Sequence, residues 1–231
     1  PGRPSIRGLL RLKHLMQDNP PDILQGWMYH GNLVASIAKI FIPSLTRIVW
    51  NIRTSIDDYP ELTLSRRLII RIAGFFSRKT DAILFNSQRA LEQHLKLGYS
   101  SKILMKIPNG FDTEIWSPSL QFRNKMRGDL GLNEADLIIG FVGRNDPQKD
   151  PKNFFLAISN VLANNTKAKV IVVGHGLKDL VEETFFPDRV IFLGHVDKVS
   201  QIMPVFDIFC LSSSIEGFPN VIGEAMSCAI P

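Results

Sequence analysis

Short β-branched runs alternate with amphipathic helical stripes along most of the chain, and this pattern predicts strands joined by helices. The predicted strands are residues 22–25, 47–51, 82–85, 103–107, 137–142, 169–173, 190–193 and 208–211. The predicted helices are residues 5–17, 32–40, 62–78, 87–97, 120–130, 152–163, 177–184, 198–203 and 221–227. Strands 137–142 and 169–173 are apolar nearly throughout, as expected when helices cover both faces of a parallel sheet. The pattern therefore predicts an α/β fold with parallel, doubly wound sheets.

A polar stretch containing Pro and Gly interrupts this alternation between Asn109 and Gly131. The charge balance changes at the same place, because residues 1–118 carry 16 Lys and Arg against 9 Asp and Glu, whereas residues 119–231 carry 11 against 13. We therefore predict two domains, 1–118 and 119–231. The basic first half is suited to attract nucleic acid, anionic lipid or a phosphorylated substrate, and composition alone leaves these three open.

Composition narrows the class of protein further. With 45% hydrophobic and 21% charged residues, the chain is typical of a globular protein rather than a disordered tail or a coiled coil. The sequence has no run of about 18 apolar residues that would predict a membrane-spanning helix. Cys210 and Cys228 form no CxxC pair, so we expect a reducing compartment and no thiolate metal site. The chain begins at Pro1 without an initiator Met and stops at Pro231 directly after a helical pattern, so both ends are predicted to be cut.

The strongest candidate site is the loop and helix start around Glu216-Gly217-Phe218-Pro219-Asn220-Val221. Backbone N–H groups at a helix start carry positive dipole charge and suit a phosphate or diphosphate, and ligands of parallel sheets bind at this carboxyl edge. One carboxylate, Glu216, is then able to face a sugar while Glu224 accepts hydrogen bonds from a ribose diol. Spacing alone leaves an alternative open, in which Glu216 caps the helix and Glu224 is a solvated helix residue.

A second candidate site follows the predicted strand 137–142, where Gly143 leads into a polar loop with Arg144 and Lys149. Two cations at the carboxyl edge of a sheet are able to neutralise a departing diphosphate without a metal ion. The alternative is that both are ordinary loop residues paired with Asp146 and Asp150.

Four weaker signals also follow predicted strands. Gly174-His175-Gly176 would let a ligand approach the backbone, but the sequence lacks the six-residue dinucleotide fingerprint, and Gly194-His195 ends the next strand. His30 lies in a predicted loop after the first strand, at the carboxyl edge of the sheet. It is either a structural residue or a residue that lines a ligand cleft at this edge. Asn86 and Ser87 are expected to cap the helix that follows them.

The predicted helix 62–78 has an apolar stripe made of Leu64, Leu68, Ile72, Phe75 and Phe76. We expect this stripe to pack on the sheet. The basic residues of the same segment then form either a solvated face or a surface for anionic lipid headgroups; these are Arg66, Arg67, Arg71, Arg78 and Lys79.

Taken in order, these segments resemble the retaining glycosyltransferases of family 4, also called group 1 glycosyltransferases. The motifs that carry the resemblance are Trp50-Asn51-Ile52-Arg53-Thr54-Ser55, Asn86-Ser87, Ile107-Pro108-Asn109-Gly110-Phe111-Asp112, Val142-Gly143-Arg144 to Lys149, Val173-Gly174-His175-Gly176, and Glu216-Gly217-Phe218-Pro219 through Glu224-Ala225-Met226. The resemblance implies two Rossmann-like domains with parallel sheets in the GT-B arrangement. Both domains would be incomplete, because the family's glycine-rich loop and its closing strands and helix have no counterpart in this sequence.

The resemblance also implies roles for the candidate residues. Arg144 and Lys149 would grip the donor diphosphate, Glu216 would contact the transferred sugar, and Glu224 would hold the ribose. His30 would reach the reacting groups from the acceptor domain. The remaining donor-binding positions would be Gly143, Gly174, Gly217, Phe218, Asn220 and Val221.

The function implied is transfer of a sugar from a UDP- or GDP-sugar to an acceptor hydroxyl, with retention of configuration and without a metal ion. The acceptor would be a glycan or a lipid-linked saccharide in the cytoplasm, with peripheral contact at the inner face of an anionic membrane through the basic half and no nucleic acid partner. We expect the fragment alone to be catalytically poor, because positioning needs both walls of the cleft.

Two alternatives stay open at the level of sequence. A NAD-dependent oxidoreductase shares the sheet type, although the fingerprint glycines are missing. A non-enzymatic basic module that binds membranes or nucleic acid would explain the charge of the first half, but it leaves the pairs Arg144/Lys149 and Glu216/Glu224 without a role.

Overall fold

The structure, a computed structural model, describes residues 6–42, 45–182 and 185–231. Contacts between residues divide the chain into one unit that ends at Asn109 and a second unit that begins at Gly110. Each unit contains a four-stranded sheet in which all paired strands run parallel. The predicted α/β class with two parallel sheets is confirmed.

The first unit alternates helices and strands as the sequence pattern predicts. Its strands are β1 (Ile23–Trp27), β2 (Arg47–Ile52), β3 (Ala82–Phe85) and β4 (Ile103–Lys106), and its helices are α1 (Ile6–Asp18), α2 (Met28–Ala38), α3 (Leu64–Ser77) and α4 (Gln88–Lys96). The strands pair in the order β1-β2-β3-β4. Trp50, Ile83 and Phe85 are fully buried in the core between the sheet and its helices.

A buried histidine joins α2 to α4 in the first unit. His94 has its Nδ1 2.7 Å from the carbonyl oxygen of Ala90 and its Nε2 2.8 Å from the hydroxyl of Tyr29. Because the carbonyl can only accept, Nδ1 carries the proton and Nε2 accepts from Tyr29. Burial of the ring lowers the pKa of His94 to about 4. The histidine is therefore a neutral, hydrogen-bonded core residue at pH 7.

The apolar stripe of α3 does not pack on the sheet, contrary to the prediction. Leu64, Leu68, Ile72 and Phe75 are exposed, and of the predicted stripe only Phe76 packs against the core. The buried face is instead formed by Ile70, Ala73, Gly74 and Ser77. The small residues explain the choice of face, because a Cβ on Gly74 would lie 3.2 Å from the Tyr99 ring, whose hydroxyl donates to the Ile70 carbonyl at 2.8 Å. A larger side chain at position 74 would hold α3 away from this tyrosine.

The second unit contains the remaining elements. Its strands are β5 (Leu137–Val142), β6 (Ala168–Val173), β7 (Val190–Gly194) and β8 (Ile208–Phe209), and its helices are α5 (Leu120–Asp129), α6 (Pro151–Asn164), α7 (Val199–Ile202) and α8 (Asn220–Ser227). The strands pair in the order β7-β6-β5-β8, so the direction of winding reverses between β5 and β8. Apolar clusters centred on Phe141 and Phe206 form the core.

An ion-pair network holds β8 beside β5. Asp207, directly before β8, accepts hydrogen bonds from the guanidinium groups of Arg123 and Arg127, the latter at 2.7 Å. The same carboxylate accepts the backbone N–H of Ile138 in β5 at 2.7 Å. Because Arg127 is buried, these bonds lie mostly out of solvent and fix the position at which β8 joins the sheet.

Contacts divide the units between Asn109 and Gly110, whereas the predicted domains divide at residue 118; Phe111 contacts Phe218, and Trp116 packs against the core of the second unit. The structure corrects one further prediction. The predicted helix 177–184 is reduced to a single 3-10 turn, Lys178–Leu180, and the end of that prediction lies outside the described residues. The 3-10 turn ends at Val181, which is extended rather than helical.

Candidate functional site

A cleft of about 970 Å³ opens at the carboxyl ends of the strands of the second sheet. Its lining includes nine of the residues predicted from the sequence, namely Gly143, Arg144, Lys149, Gly174, Glu216, Phe218, Asn220, Val221 and Glu224. These residues follow three different strands, and the cleft lies where the strand order reverses. That is the position at which open parallel sheets bind their ligands.

Two glycines form the floor of the cleft where β5 and β6 end. The backbone N–H of Gly143 donates to the Val173 carbonyl at 3.0 Å, and Gly174 follows with a φ of +146°. A Cβ on Gly174 would lie 1.8 Å from the carbonyl oxygen of Gly143. Only glycine fits here, so the two loops approach each other closely at the base of the cleft.

Hydrogen bonds to backbone carbonyl groups join the loop after β5 to the loop after β8. The hydroxyl of Ser212 lies 2.8 Å from the carbonyl oxygens of both Lys149 and Asp150, and the backbone N–H of Ser214 donates to the Gln148 carbonyl at 2.9 Å. Asp150 also caps α6, with its side chain accepting from Asn153. The two loops therefore form one continuous wall of the cleft.

Lys149 and Glu216 form an ion pair on this wall, with 2.5 Å between Nζ and Oε1. Their side chains are only 21% and 25% exposed. The alternative that pairs Lys149 with Asp150 is wrong, since the ion pair of Lys149 joins it to a residue on the opposite loop. The pairing fixes a cation and a carboxylate side by side in a partly desolvated site, where charge acts more strongly than in water.

Arg144 lies at the rim of the same cleft and is far more exposed, with 81% of its side chain accessible. Its guanidinium is 3.6 Å from the Asp146 carboxylate, which also accepts the backbone N–H of Gln148 at 2.9 Å. Arg144 therefore does pair with Asp146, as the alternative predicted, but the contact is long and exposed to solvent. Such a contact costs little to break, so Arg144 is able to turn toward an anion in the cleft.

Helix α8 begins at the edge of the cleft, with Pro219 as its N-cap. Proline has no side-chain group that could accept a hydrogen bond from the first turn, so this position offers no competing cap. The predicted start of this helix near residue 220 is confirmed. Gly223 allows Phe111 to pack on the helix, since a Cβ there would lie 2.1 Å from the Phe111 ring. The start of α8 is thus held rigidly against the segment that opens the second unit.

Glu224 lies one turn into α8 and faces the cleft. Burial raises the pKa of its carboxyl group, while the charge of Lys149 opposes that shift. The alternative of a solvated helix residue is wrong, because Glu224 is half-buried and lines the cavity. Its charge also helps burial to raise the pKa of Cys228 to about 11.

Several lining residues were not predicted as site residues. Ile115 and Trp116 come from the polar stretch at the start of the second unit, Lys198 is the N-cap of α7, and Ser200 lies in the first turn of that helix. The sequence signal that could have identified Trp116 as a site residue is an aromatic side chain within a mostly polar stretch. His195, which ends β7 in the sequence pattern, also lines the cleft, whereas Gly217 is absent from its lining.

His30 belongs to the first unit and lies in the first turn of α2 rather than in a loop. The helix begins earlier than predicted, because β1 ends at Trp27 and Met28 reverses the backbone with a φ of +57°. The imidazole is exposed at the carboxyl end of β1. At that edge Arg53 lies over the Trp27 ring, 5.3 Å from its centroid.

Of the predicted caps in the first unit, one is confirmed. The Ser87 hydroxyl accepts the backbone N–H of Ala90 at 3.1 Å and caps α4. Asn86 is buried instead, and its side-chain amide donates to the Arg53 carbonyl at 3.3 Å.

The described residues contain neither a cluster of metal ligands nor a membrane-spanning helix. In residues 6–42, 45–182 and 185–231 no three His, Cys, Asp or Glu side chains come together as ligands for a metal ion. No helix in that part of the chain has the length and apolar character needed to cross a bilayer.

Comparison with protein families gives two matches that together span most of the chain. The model described as Glycosyltransferase Family 4 matches residues 1–115, and the model described as Glycosyl transferases group 1 matches residues 122–231. The division between the two matches lies in the polar stretch identified in the sequence.

Curated relatives and solved structures agree with these matches. The UDP-Gal:alpha-D-GlcNAc-diphosphoundecaprenol alpha-1,3-galactosyltransferase of Escherichia coli is 32% identical over 54% of this chain and 34% of its own length. The N-acetylgalactosamine-N,N'-diacetylbacillosaminyl-diphospho-undecaprenol 4-alpha-N-acetylgalactosaminyltransferase of Campylobacter jejuni is 27% identical over 95% of this chain and 59% of its length. The crystal structure of Anabaena HepE in complex with UDP and glucose has a TM-score of 0.80 at 22% identity, covering 96% of this chain and 61% of that one. The chain thus spans between a third and three fifths of the length of these relatives.

Proposed function

Since the chain belongs to the group 1, family 4 glycosyltransferases, we propose that it transfers a sugar from a nucleoside-diphosphate-sugar donor to an acceptor hydroxyl. The second unit binds the donor and the first unit serves the acceptor. The observation that carries the proposal is the convergence of Arg144, the Lys149–Glu216 pair and the start of α8 on one cleft.

The chemistry of the donor explains why these groups belong together. As the glycosidic bond breaks, negative charge develops on the departing nucleoside diphosphate. Arg144, Lys149 and the dipole of α8 then stabilise this charge more strongly than they stabilise the intact donor. Glu216, held beside Lys149, contacts the transferred sugar, and Glu224 accepts hydrogen bonds from the ribose. The names of the E. coli relative and of the Anabaena complex support a UDP-sugar, with a GDP-sugar as the alternative.

We propose further that transfer retains the anomeric configuration and needs no metal ion. Retention is supported by the motifs shared with the family, and metal independence by the two cations that face the proposed diphosphate. In the full-length enzyme, proton NMR of the product formed in the presence of EDTA would test both points. An inverted anomer or loss of turnover on chelation would contradict them.

The acceptor that we propose is a lipid-linked saccharide in glycan biosynthesis. The two curated relatives are named for acceptors on a diphospho-undecaprenol lipid. His30, exposed at the carboxyl end of β1, is the side chain of the first unit that we assign to the acceptor hydroxyl. We place the reaction at the cytoplasmic side of a membrane.

Calorimetric titration of the chain with UDP, GDP, NAD⁺ and an oligonucleotide tests the donor site. We expect UDP or GDP to bind, and we expect Arg144→Ala and Glu224→Gln each to weaken binding by about tenfold or more, because each removes a charged contact to the ligand. The matched controls are Lys152→Ala and Glu134→Gln, which change an exposed cation and an exposed carboxylate outside the cleft lining. Tighter binding of NAD⁺ or of the oligonucleotide, or equal losses in the controls, would refute the proposal.

A further inference from the structure

Trp27 is an exposed aromatic residue at the carboxyl end of β1. It is 53% exposed, whereas Trp50 in the neighbouring strand is fully buried and donates from its Nε1 to the Ser36 hydroxyl at 3.1 Å. Tryptophan combines a large apolar ring with an N–H donor, and it is enriched where proteins bind ligands and partners. Trp50 therefore serves the core, while the ring of Trp27 is available to a ligand.

The backbone on both sides of Trp27 is fixed by close packing. A Cβ on Gly26 would lie 2.6 Å from the Cα of Asn32, so only glycine lets α2 begin this close to β1. Met28 has a φ of +57°, a conformation that residues other than glycine seldom adopt unless their surroundings hold it. The chain thus turns directly from strand to helix, and Trp27 becomes the N-cap of α2. The packing of α2 on β1 therefore sets the place of this residue at the edge of the sheet.

Arg53 holds the indole ring of Trp27 from one side. Its guanidinium lies over the ring, with 5.3 Å between Cζ and the ring centroid. The same guanidinium donates to the side-chain oxygen of Asn109, and the backbone carbonyl of Arg53 accepts from the amide of the buried Asn86 at 3.3 Å. Arg53 is thus held by its side chain and by its backbone. A planar guanidinium stacked on an aromatic ring keeps its N–H donors directed outward from its edge.

The open ring and its polar neighbours select among the ligands that could cover Trp27. An acyl chain would bury the ring but would place the Arg53 guanidinium and the exposed His30 imidazole against hydrocarbon. A small anion would pair with Arg53 but would leave the ring in water. A pyranose ring satisfies both, because its C–H groups pack on the aromatic face while its hydroxyl groups form hydrogen bonds at the ring's edge.

We propose that Trp27 is a specificity-determining residue of the first unit, and that its ring stacks on the pyranose of the acceptor. The proposal deepens the proposed function, since it rests on a saccharide as the acceptor. His30 is the third residue of α2, and the N-cap and third positions are neighbours at a helix start. One sugar ring is therefore able to meet the Trp27 face and present a hydroxyl to His30.

Calorimetric titration of the chain with four hexyl diphosphates tests the proposal. Three carry an α-linked glucose, galactose or N-acetylglucosamine, and the fourth, hexyl diphosphate itself, carries no sugar. We expect the wild-type chain to bind at least one glycosylated probe about tenfold more tightly than hexyl diphosphate, and Trp27→Ala to lose that difference. Trp27→Phe keeps an aromatic face, so it should bind within about threefold of the wild type. It should lose the change in tryptophan fluorescence that only the glycosylated probe causes.

The matched control is Phe75→Ala, which removes an aromatic side chain that is 67% exposed on α3 of the same unit. This variant should discriminate among the probes as the wild type does. The proposal is overturned if the wild-type chain binds all four probes equally, if Trp27→Ala keeps the difference, or if Phe75→Ala loses it too. A fluorescence change that persists in Trp27→Phe also overturns it.

UDP affinity measured on the same preparations separates a failure of this proposal from a failure of the proposed function. A wild-type chain that binds UDP but does not discriminate among the probes refutes the stacking on Trp27 alone. A chain that binds neither UDP nor any glycosylated probe refutes both.

Discussion

The two parallel sheets of this protein differ in the order of their strands. In the described part of the first unit the order β1-β2-β3-β4 never reverses, whereas the second sheet, β7-β6-β5-β8, reverses between β5 and β8. At a reversal the connections after two adjacent strands leave toward opposite faces of the sheet, and a crevice opens between them. Lys149 after β5 and Glu216 beyond β8 form an ion pair where the loops after these two strands join into one wall of the crevice. Strand order, more than strand composition, determines where the second unit can hold a small molecule.

Charge is also distributed differently in the two units. The second unit concentrates the charges of its candidate site at one cleft, where Lys149 pairs with Glu216. The first unit instead spreads cations along α3, beside exposed apolar side chains. A cleft of paired charges suits a small anionic ligand, which is why the proposed donor site belongs to the second unit.

The largest expected effect comes from adding a side chain at Gly174, where the loops after β5 and β6 approach each other. Gly174→Ala should destabilise the second unit by more than about 3 kcal/mol, because its Cβ would lie 1.8 Å from a backbone carbonyl oxygen that cannot rotate away. Chemical denaturation followed by circular dichroism measures the change. As a control, Gly128→Ala in α5 meets open space and should stabilise by up to about 1 kcal/mol. Equal stability of the two variants would contradict the tight approach of the β5 and β6 loops.

The next effect distinguishes the first unit by its pH dependence. Burial lowers the pKa of His94 in the folded protein to about 4, below the usual histidine value of 6.5, so the unfolded chain binds a proton first as the pH falls. The free energy of unfolding should therefore decrease by about 3 kcal/mol as the pH falls from about 6.5 to about 4. Above pH 6.5 His94 is neutral in both states, and its full stabilising contribution is present. Urea titrations across this range should give a flatter profile for His94→Gln. The exposed His14, changed to Gln, should leave the profile as it is in the wild type.

The smallest of the three effects tests the wall of the crevice. Ser212→Ala removes a hydroxyl that contacts two carbonyls of the opposite loop, and it should cost about 1 kcal/mol of unfolding free energy together with a several-fold loss in UDP affinity. Ser159→Ala on α6 is the control, because its hydroxyl contacts only its own helix. If both serines affect UDP binding equally, the loops do not act as one wall.

Sequence periodicity predicted most elements closely and failed where packing made the choice. Strands β3 and β5 have the predicted bounds, since an aspartate directly precedes each apolar run and Asn86 or Gly143 directly follows it. The position of helix α3 in the sequence was predicted correctly, but the wrong face was predicted to be buried. The helix carries two apolar faces, and only the small residues Ala73 and Gly74 allow close contact with Tyr99. The predicted site residues around Lys149 and Glu216 do share one cleft, but their ion pair could not be read from positions 67 residues apart.

The amino-acid sequence by itself determined the succession of helices and strands, the α/β class and the loops that carry chemistry, because periodicity, glycines and caps act over a few neighbouring residues. Tertiary structure alone decided that β8 lies beside β5, that Lys149 pairs with Glu216, and that the predicted apolar stripe of α3 faces solvent except for Phe76. These outcomes depend on which surfaces pack most closely across long separations, and local pattern carries no information about that competition.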